Sequence, residues 1–317
     1  LRLRLPAPRS GAPARNSRLV SVLLGPLFKV LSTLAFAVML VGVKLLSGRV
    51  PAGEVVFFRS AFALMPVVAM VAWQGELREG LKTDRPGGHL IRSVVGVTAM
   101  ALWFSGVQRI SLADSLAITY AAPLLTVALA AILLGETVRL HRWSAVAVGF
   151  VGVLVVLSPH LGEMSHLLDG GAATGAAMCF ASALFMAFAQ IQVRSLTRTE
   201  RTGAIVVYFS IGSALVALLT VPWWVMPDGR DFAILLMTGI FGGIGQIFLT
   251  LGYRHADASV IAPLEYTSML WAVVTGWWIF GEWPTSTVLL GSTVIIASGV
   301  AIVLRERALG LKRREEA

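Results

Sequence analysis

Four ionisable side chains lie inside long apolar stretches of the sequence, and their types could bind or release charged groups. Glu265 lies two residues after Pro263, and Arg59 lies in the text FFRS. Lys44 and Arg92 lie nearer the ends of their stretches. A charge at mid-membrane costs roughly 2.5–3.5 kcal/mol on insertion scales, so each one needs a partner or a function. A carboxylate such as Glu265 can hold an amine or take up a proton, and a guanidinium such as Arg59 can attract an anion.

Each of these side chains also has a structural interpretation. Glu265 could hydrogen-bond a neighbouring helix and hold a bundle together, and Arg59 could pair with Glu54 or Glu265. Lys44 and Arg92 lie close enough to the ends of their stretches to extend their charged groups to the membrane surface, and we expect this of both. Glu265 is therefore the leading candidate for substrate binding or coupling, followed by Arg59, with Lys44 the weakest.

Aromatic and amide side chains inside the same stretches could add to a binding site. Aromatic walls suit a planar ring in a substrate, and a mid-membrane amide can both donate and accept hydrogen bonds. The alternative for any one of them is ordinary packing and hydrogen bonding between helices. The candidates of this kind are Trp103, Tyr120, Tyr266, Trp271 and Gln246.

Two prolines interrupt the stretches that contain the two tyrosines. Pro123 follows Tyr120 and Pro263 precedes Tyr266, and proline cannot donate the backbone hydrogen bond that a helix requires. Paired broken segments in the two halves of a membrane protein indicate a binding site between the halves. We therefore predict a cavity around these two segments, with Pro123 and Pro263 as helix breaks or hinges.

The elements that must position these residues are membrane-spanning helices. The 317 residues are 56% hydrophobic and only 14% charged, whereas soluble proteins are nearer a quarter charged. A spanning helix needs ~20 apolar residues. The stretches of about that length are 27–48, 54–74, 88–107, 111–134 and 141–158 in the first half, and 167–190, 203–225, 231–253, 256–280 and 285–304 in the second.

The two halves repeat the same landmarks 146 positions apart. Gly106 recurs as Gly252, Tyr120 as Tyr266, and the pair Gly135 and Glu136 as Gly281 and Glu282. Five spans per copy is an odd number, so the second copy enters the membrane from the opposite side. We therefore predict an all-α membrane protein with ten transmembrane helices, arranged as two inverted five-helix repeats. The predicted domains are an N-terminal tail (1–26), two repeats (27–159 and 167–304) and a C-terminal tail (305–317).

Basic residues predict the orientation. If the N-terminus is cytoplasmic, nineteen Lys and Arg residues fall on the inner side and three on the outer side, which favours both termini inside. Lys29 is then expected at the cytoplasmic boundary. The Arg-rich stretch 1–18 could be an import sequence, but a disordered cytoplasmic tail is the simpler interpretation. The net charge of +9 follows this loop pattern and forms no basic, aromatic-interleaved stripe, so no nucleic-acid partner is expected.

Small residues and helix-end glutamates have structural interpretations. Gly239 with Gly243, and Gly171 with Gly175, have the spacing of close helix–helix packing. Glu136 and Glu282 are expected at helix ends, where each accepts hydrogen bonds at the start of the last helix of its half.

Short motifs carry a resemblance to a known family. The motifs are LLGE (133–136), IFGE (279–282), FFRS (57–60) and APLEYT (262–267). With the doubled set of five spans, the chain resembles the EamA-type, ten-helix branch of the drug/metabolite transporter superfamily, from about residue 27 to residue 304. The resemblance implies secondary transport of an amino-acid-like, nucleoside-like or vitamin-like solute across the cytoplasmic (inner) membrane by alternating access, driven by protons or by exchange.

Two other classes of protein stay open at this point, a channel or scramblase and, less favoured, an intramembrane enzyme. An enzyme would need a catalytic set, and the sequence has no metal-binding histidine pair and no G-x-S-x-G. The single cysteine, Cys179, excludes a disulfide framework and is expected to be buried. We expect no catalytic residue, no metal and no cofactor. The expected partners are a small-molecule substrate and the lipid bilayer, with the chain a monomer or a homodimer.

Overall fold

The computed structural model describes residues 15–73, 82–134, 140–161, 171–196, 199–200, 202–255 and 262–315, and the elements within these ranges are helical. The α-helices are α1 (Arg15–Leu45), α2 (Ala52–Trp73), α3 (Pro86–Val107), α4 (Leu112–Thr119), α5 (Ala121–Leu134), α6 (Leu140–Leu161), α7 (Ala172–Leu196), α8 (Thr202–Ala217), α9 (Gly229–His255), α10 (Thr267–Phe280) and α11 (Ser286–Glu315). One 3₁₀ helix, Leu218–Trp223, extends α8, and another, Ala262–Tyr266, precedes α10.

These helices form ten membrane crossings, as predicted. Within the described residues, six segments are long and apolar enough to cross a membrane by themselves, and three shorter apolar helices lie at 112–126, 143–159 and 286–301. The pairs α4 with α5, and the second 3₁₀ helix with α10, each make one crossing of two pieces. Cys179 is fully buried, as expected.

Three crossings differ in extent from the predicted ones. The first helix begins at Arg15, so residues 19–28 lengthen it. The last helix continues to Glu315, so most of the predicted C-terminal tail is helical. The sixth crossing covers Ala172–Leu196 instead of 167–190. Apolar length measures only the part of a helix in the membrane, and leucine, alanine, arginine and glutamate continue a helix readily in water.

Packing between the helices repeats with the same offset of 146 residues as the landmarks. The Ser182 hydroxyl of α7 donates to the Ala99 carbonyl of α3 over 2.7 Å. The residues equivalent to Ser182 and Ala99 are Phe36 of α1 and Gly245 of α9. They also lie close together, since a Cβ added to Gly245 would be only 2.7 Å from the Phe36 ring. Thus α1 packs on α9 as α7 packs on α3, which is the two-fold relationship expected of inverted repeats.

Two repeat-equivalent glutamates tie the halves together at opposite ends of the bundle. Glu54, at the start of α2, accepts a hydrogen bond from the Val225 backbone N–H over 3.1 Å. Glu200, just before α8, accepts one from the Asp84 backbone N–H over 3.1 Å, and His89 Nε2 lies 3.6 Å from it. Burial opposes ionisation of Glu200, but the hydrogen bonds it accepts outweigh burial and hold the pKa of this carboxyl below its usual value. Each glutamate joins its own repeat to a loop of the other.

Candidate functional site

The fourth and ninth crossings bend at equivalent residues. Tyr120 separates α4 from α5, and Tyr266 is the last residue of the 3₁₀ helix before α10. Pro123 lies in the first turn of α5, where its missing N–H removes the hydrogen bond that would continue α4 into α5. Pro263 lies inside the 3₁₀ helix of the other bend. Both bends expose backbone and side chains toward the space between the repeats.

A cavity of about 310 Å³ lies between the repeats, against both bends. Its volume is typical of a small-molecule site, and most of its wall is apolar. Side chains of both repeats line it, from α1 to α5 and from α7, α8, α9, the 3₁₀ helix and α10. The polar and aromatic-polar members of the wall are Thr33, Arg59, Arg92, Trp103, Thr119, Tyr120, Gln190, Gln246, Glu265, Ser268 and Thr275.

The residues that line the cavity are buried at one end, which we call closed, and exposed at the other, which we call open. Phe104, near the end of α3, and Leu112, at the start of α4, are buried and form the closed end. Toward the opposite end, Pro123 and Gln190 are exposed and 45% of the Glu265 side chain is exposed. Since α3 runs toward the closed end and α7 runs away from it, the open end is the one where α1 begins and α11 finishes.

Lys29 pairs with Glu265, a residue of the cavity wall. Its side chain is 1% exposed, and its ammonium donates a hydrogen bond to the Glu265 carboxylate. The expectation that Lys29 marks the membrane boundary is wrong, because α1 extends fourteen residues before it and Glu265 supplies a counter-charge inside the bundle. Glu265 itself lines the cavity, on the 3₁₀ helix of the ninth crossing.

Arg59 of α2 and Arg92 of α3 line the same cavity, and each has Nε and Nη1 buried without a hydrogen-bond partner among the described residues. Arg59 makes no described ion pair with Glu54 or Glu265, the two acids considered as its partners. Arg92 does not reach the membrane surface as expected. Its guanidinium stacks over the Phe209 ring, with Cζ 4.0 Å from the ring centroid, because a glycine one turn further along α3 leaves room for it.

The predicted aromatic and amide candidates divide into two groups. Trp103, Tyr120 and Gln246 line the cavity. Tyr266 packs behind Tyr120, with ring centroids 5.2 Å apart in an edge-to-face arrangement. Trp271 donates from Nε1 to the Thr33 hydroxyl over 3.2 Å, and neither it nor Tyr266 belongs to the wall formed by the described residues.

Lys44 lies beyond the closed end, outside the cavity wall. Its ammonium lies 2.8 Å from Oε1 of Glu282 and also donates to the Ile110 carbonyl. Glu282 accepts a hydrogen bond from the Leu112 backbone N–H over 3.2 Å. The expectation that Lys44 extends to the membrane surface is therefore wrong, and Glu282 binds the start of α4 in the other repeat instead of its own last helix. Glu136, its equivalent, lies outside the described residues.

Comparison with known proteins now identifies this architecture. A sequence profile described as the EamA-like transporter family matches residues 23–158 and, separately, residues 173–305. The chain belongs to the EamA-like transporter family. The two matches fall one on each repeat of the transporter, so the duplication in the sequence is a duplication of the family's unit.

Relatives of the transporter carry chemically different solutes. It is 26% identical to an S-adenosylmethionine uptake transporter of Rickettsia prowazekii over 92% of this chain and 96% of the relative. It is 28% identical to the pseudopaline exporter CntI of Pseudomonas aeruginosa, over 88% and 95% of the two chains. It is also 28% identical to a riboflavin transporter of Rhizobium johnstonii, over 89% and 91%.

A crystal structure of a protein 19% identical in sequence superimposes with a TM-score of 0.64, over 91% of this chain and 99% of that one. This likeness supports the fold alone. The family and the named relatives are transporters and not enzymes. Within the described ranges, no group of three His, Cys, Asp or Glu side chains could hold a metal ion.

Sequence reasoning misses two residues of the transporter's cavity region. It places Lys29 at the membrane boundary and Arg92 at the membrane surface, yet both charged groups are buried at the cavity. Their distance from the ends of their apolar segments could have identified both residues. Both lie five or more residues inside apolar segments, Leu24–Leu45 and Pro86–Val107, where an ionisable side chain indicates function by default.

Proposed function

We propose that this protein is a secondary active transporter that carries a small organic metabolite through the central cavity by alternating access. The observation that carries the proposal is a cavity lined by both inverted repeats, closed at one end and open at the other. Inverted repeats can exchange their conformations, so a structure closed at one end implies a second arrangement closed at the other. A site reached from each side in turn is what a carrier requires.

The open end faces the cytoplasm in this proposal. By the sequence-based topology, nineteen Lys and Arg residues belong to the tails and loops on the side of the chain termini and three to the loops on the opposite side. The positive-inside rule then puts both termini in the cytoplasm, and the membrane is the cytoplasmic membrane. The described conformation is inward-open, and the ion pair between Lys44 and Glu282 lies beyond its closed, external end.

Glu265 is the residue we assign to cationic recognition and coupling. Its carboxylate faces the cavity and binds the buried ammonium of Lys29. An amino group of a solute would compete with Lys29 for the same carboxylate, and protonation of Glu265 would release Lys29 in the same way. Either event changes the contact between α1 and the ninth crossing, which belong to different repeats. This provides a route from solute or proton binding to the movement of one repeat against the other.

The solute is of the size and polarity that the relatives handle. The cavity volume of about 310 Å³, with Trp103 and Tyr120 on its wall, suits a ring-bearing metabolite with polar substituents. S-adenosylmethionine, riboflavin and pseudopaline, the solutes named for the relatives, cover this range. We propose a solute of the same class for this protein.

Counterflow in proteoliposomes tests the proposal. Vesicles containing the purified protein are loaded with unlabelled solute and diluted into labelled S-adenosylmethionine, riboflavin or methionine. A carrier gives saturable uptake that internal solute accelerates, and vesicles loaded with buffer give much less. Uptake that rises linearly with concentration and ignores internal solute would identify a pore and reject alternating access.

A further inference from the structure

Two buried guanidiniums at the cavity have unused hydrogen-bonding capacity. Arg59 is 3% exposed, and in both Arg59 and Arg92 the Nε and Nη1 groups are buried with no partner in the described part of the chain. Buried polar groups in proteins are almost always hydrogen-bonded, and buried charges are paired. Within the described residues, these two guanidiniums and the indole N–H of Trp103 are such exceptions on one cavity wall, and they indicate a ligand that completes them.

The cavity wall carries more positive than negative charge, which also favours an anionic ligand. The ionisable acid among the described wall residues is Glu265, and Lys29 already neutralises it. Arg59 and Arg92 line this same wall, and neither forms an ion pair with a described carboxylate. The cavity therefore carries an excess of positive charge beside a low-dielectric, apolar wall, where an anion is strongly attracted.

Repeat-equivalent glycines make the space that these guanidiniums occupy. A Cβ on Gly242 of α9 would lie 3.0 Å from Nε of Arg59, and a Cβ on Gly96 of α3 would collide with Nη1 of Arg92. The two glycines are 146 residues apart, so the same position of the third and eighth crossings is recessed in both repeats. The Phe209 ring stacks on the Arg92 guanidinium and restricts its orientation.

We infer that Arg59 and Arg92 form an oxyanion subsite that binds a carboxylate of the transported solute. Resting on the proposed function, this names the substrate class, a solute with at least one carboxylate. An amino group on the same molecule would find Glu265 on the same wall, so a zwitterion suits the cavity best. A guanidinium donates strong, charge-assisted hydrogen bonds to a carboxylate, and the Nε and Nη1 donors of both arginines have no partner in the described part of the chain.

Binding of matched ligand pairs to the purified protein tests the subsite without any transport step. Each pair differs in one carboxylate: S-adenosylmethionine with decarboxylated S-adenosylmethionine, and methionine with methioninamide. Thermal stabilisation and calorimetry in detergent give the two affinities. We expect the wild-type protein to prefer the carboxylate member by about 10- to 100-fold, the usual effect of a hydrogen-bonded charged group.

Substitutions assign the preference to the two arginines. Arg59→Gln and Arg92→Gln should each remove most of it, and Arg59→Lys should retain a part, because the charge stays while the paired donors are lost. Arg109→Gln is the matched control, since Arg109 is exposed just after α3 and donates to the Ser105 carbonyl at the end of that helix. Melting of the unliganded variants checks folding, and removal of an unpaired buried charge should leave it unchanged or raised.

Equal wild-type affinity for both members of each pair, or no stabilisation by any carboxylate member, would overturn the subsite. So would a double variant, Arg59→Gln with Arg92→Gln, that still prefers the carboxylate member as strongly as the wild type does. These outcomes are separable from failure of the transport proposal. A protein that discriminates by carboxylate but shows no counterflow would retain the subsite and reject the carrier cycle. Counterflow of uncharged riboflavin alone would retain the carrier and reject the subsite.

Discussion

The Lys29 ammonium and the Glu265 carboxylate meet at the cavity with opposite exposures. Lys29 is 1% exposed, whereas 45% of the Glu265 side chain is exposed. The lysine therefore has its charge satisfied by one partner, and the glutamate keeps a face free for a second. An ion pair of this kind couples the stability of the bundle to the occupancy of the cavity, because a ligand that takes Glu265 leaves Lys29 buried and unpaired.

Removal of the Glu265 charge should stop transport and weaken the fold. In Glu265→Gln the Lys29 ammonium loses its charged partner, which should cost about 1–3 kcal/mol, seen as a lower melting temperature in detergent. The double variant Lys29→Met, Glu265→Gln should recover most of the stability, because no buried charge is left unpaired, while counterflow stays lost. Wild-type counterflow in that double variant would show that Glu265 only holds the helices together.

The ion pair at the closed end should control access from the outside. Lys44 and Glu282 join α1 to the second repeat, 2.8 Å apart and partly exposed, so the pair contributes ~1 kcal/mol. A cysteine reporter on the cavity wall is introduced by Leu116→Cys in a Cys179→Ala background. Loss of the ion pair in Glu282→Lys should raise external labelling of this reporter by about fivefold. An impermeant maleimide applied to oriented vesicles measures the labelling.

The charge-swapped protein is the control for that experiment. Lys44→Glu combined with Glu282→Lys keeps both side chains and reverses the pair, so labelling should return toward the level of the parent. Labelling as high as in the single variant would mean that the contacts with the Ile110 carbonyl and the Leu112 N–H, and not the ion pair, hold the closed end.

The bend at Tyr120 should matter for transport and not for stability. Pro123→Ala supplies an N–H that can continue the hydrogen bonding from α4 into α5, which is worth roughly 1 kcal/mol. We expect an equal or higher melting temperature and at least a several-fold slower counterflow, because a straight helix moves Tyr120 away from Ser268. Pro159→Ala, at an exposed position of α6, is the matched control and should leave counterflow unchanged. Wild-type counterflow in a Pro123→Ala protein that melts no lower than the wild type would show that transport does not need the bend.

Close helix packing should make two similar glycines respond differently. A Cβ on Gly243 of α9 would lie 2.8 Å from the Ala63 carbonyl and 2.5 Å from a Pro66 ring carbon, and neither can move aside easily. Gly243→Ala should therefore destabilise the protein by about 1–3 kcal/mol through overpacking. A Cβ on Gly171 meets nothing within 4 Å, so Gly171→Ala should melt like the wild type. Equal melting temperatures for the two variants would contradict the packing of α9 on α2.

Much of this fold can be predicted from the sequence, because apolar length and proline position depend on residues that are neighbours along the chain. The ten stretches were identified from apolar length, and the bends at Tyr120 and Tyr266 were expected from Pro123 and Pro263. The expected ends failed where a helix leaves the membrane, as in α11, since water does not require a helix to stop there. The candidate wall residues Arg59, Tyr120 and Glu265 came from the same local rule that polar groups in lipid need a reason.

The sequence by itself determined the number and duplication of the helices and predicted their direction, because apolar length, a 146-residue spacing and loop charge depend only on order along the chain. Tertiary structure alone decided which charges meet. Lys29 and Glu265 are 236 residues apart, and whether they pair depends on the rotation and depth of two packed helices. The same rotations left Arg59 and Arg92 without acidic partners among the residues that the structure describes, and they placed Lys44 against Glu282. A long side chain can reach only the groups that its helix faces.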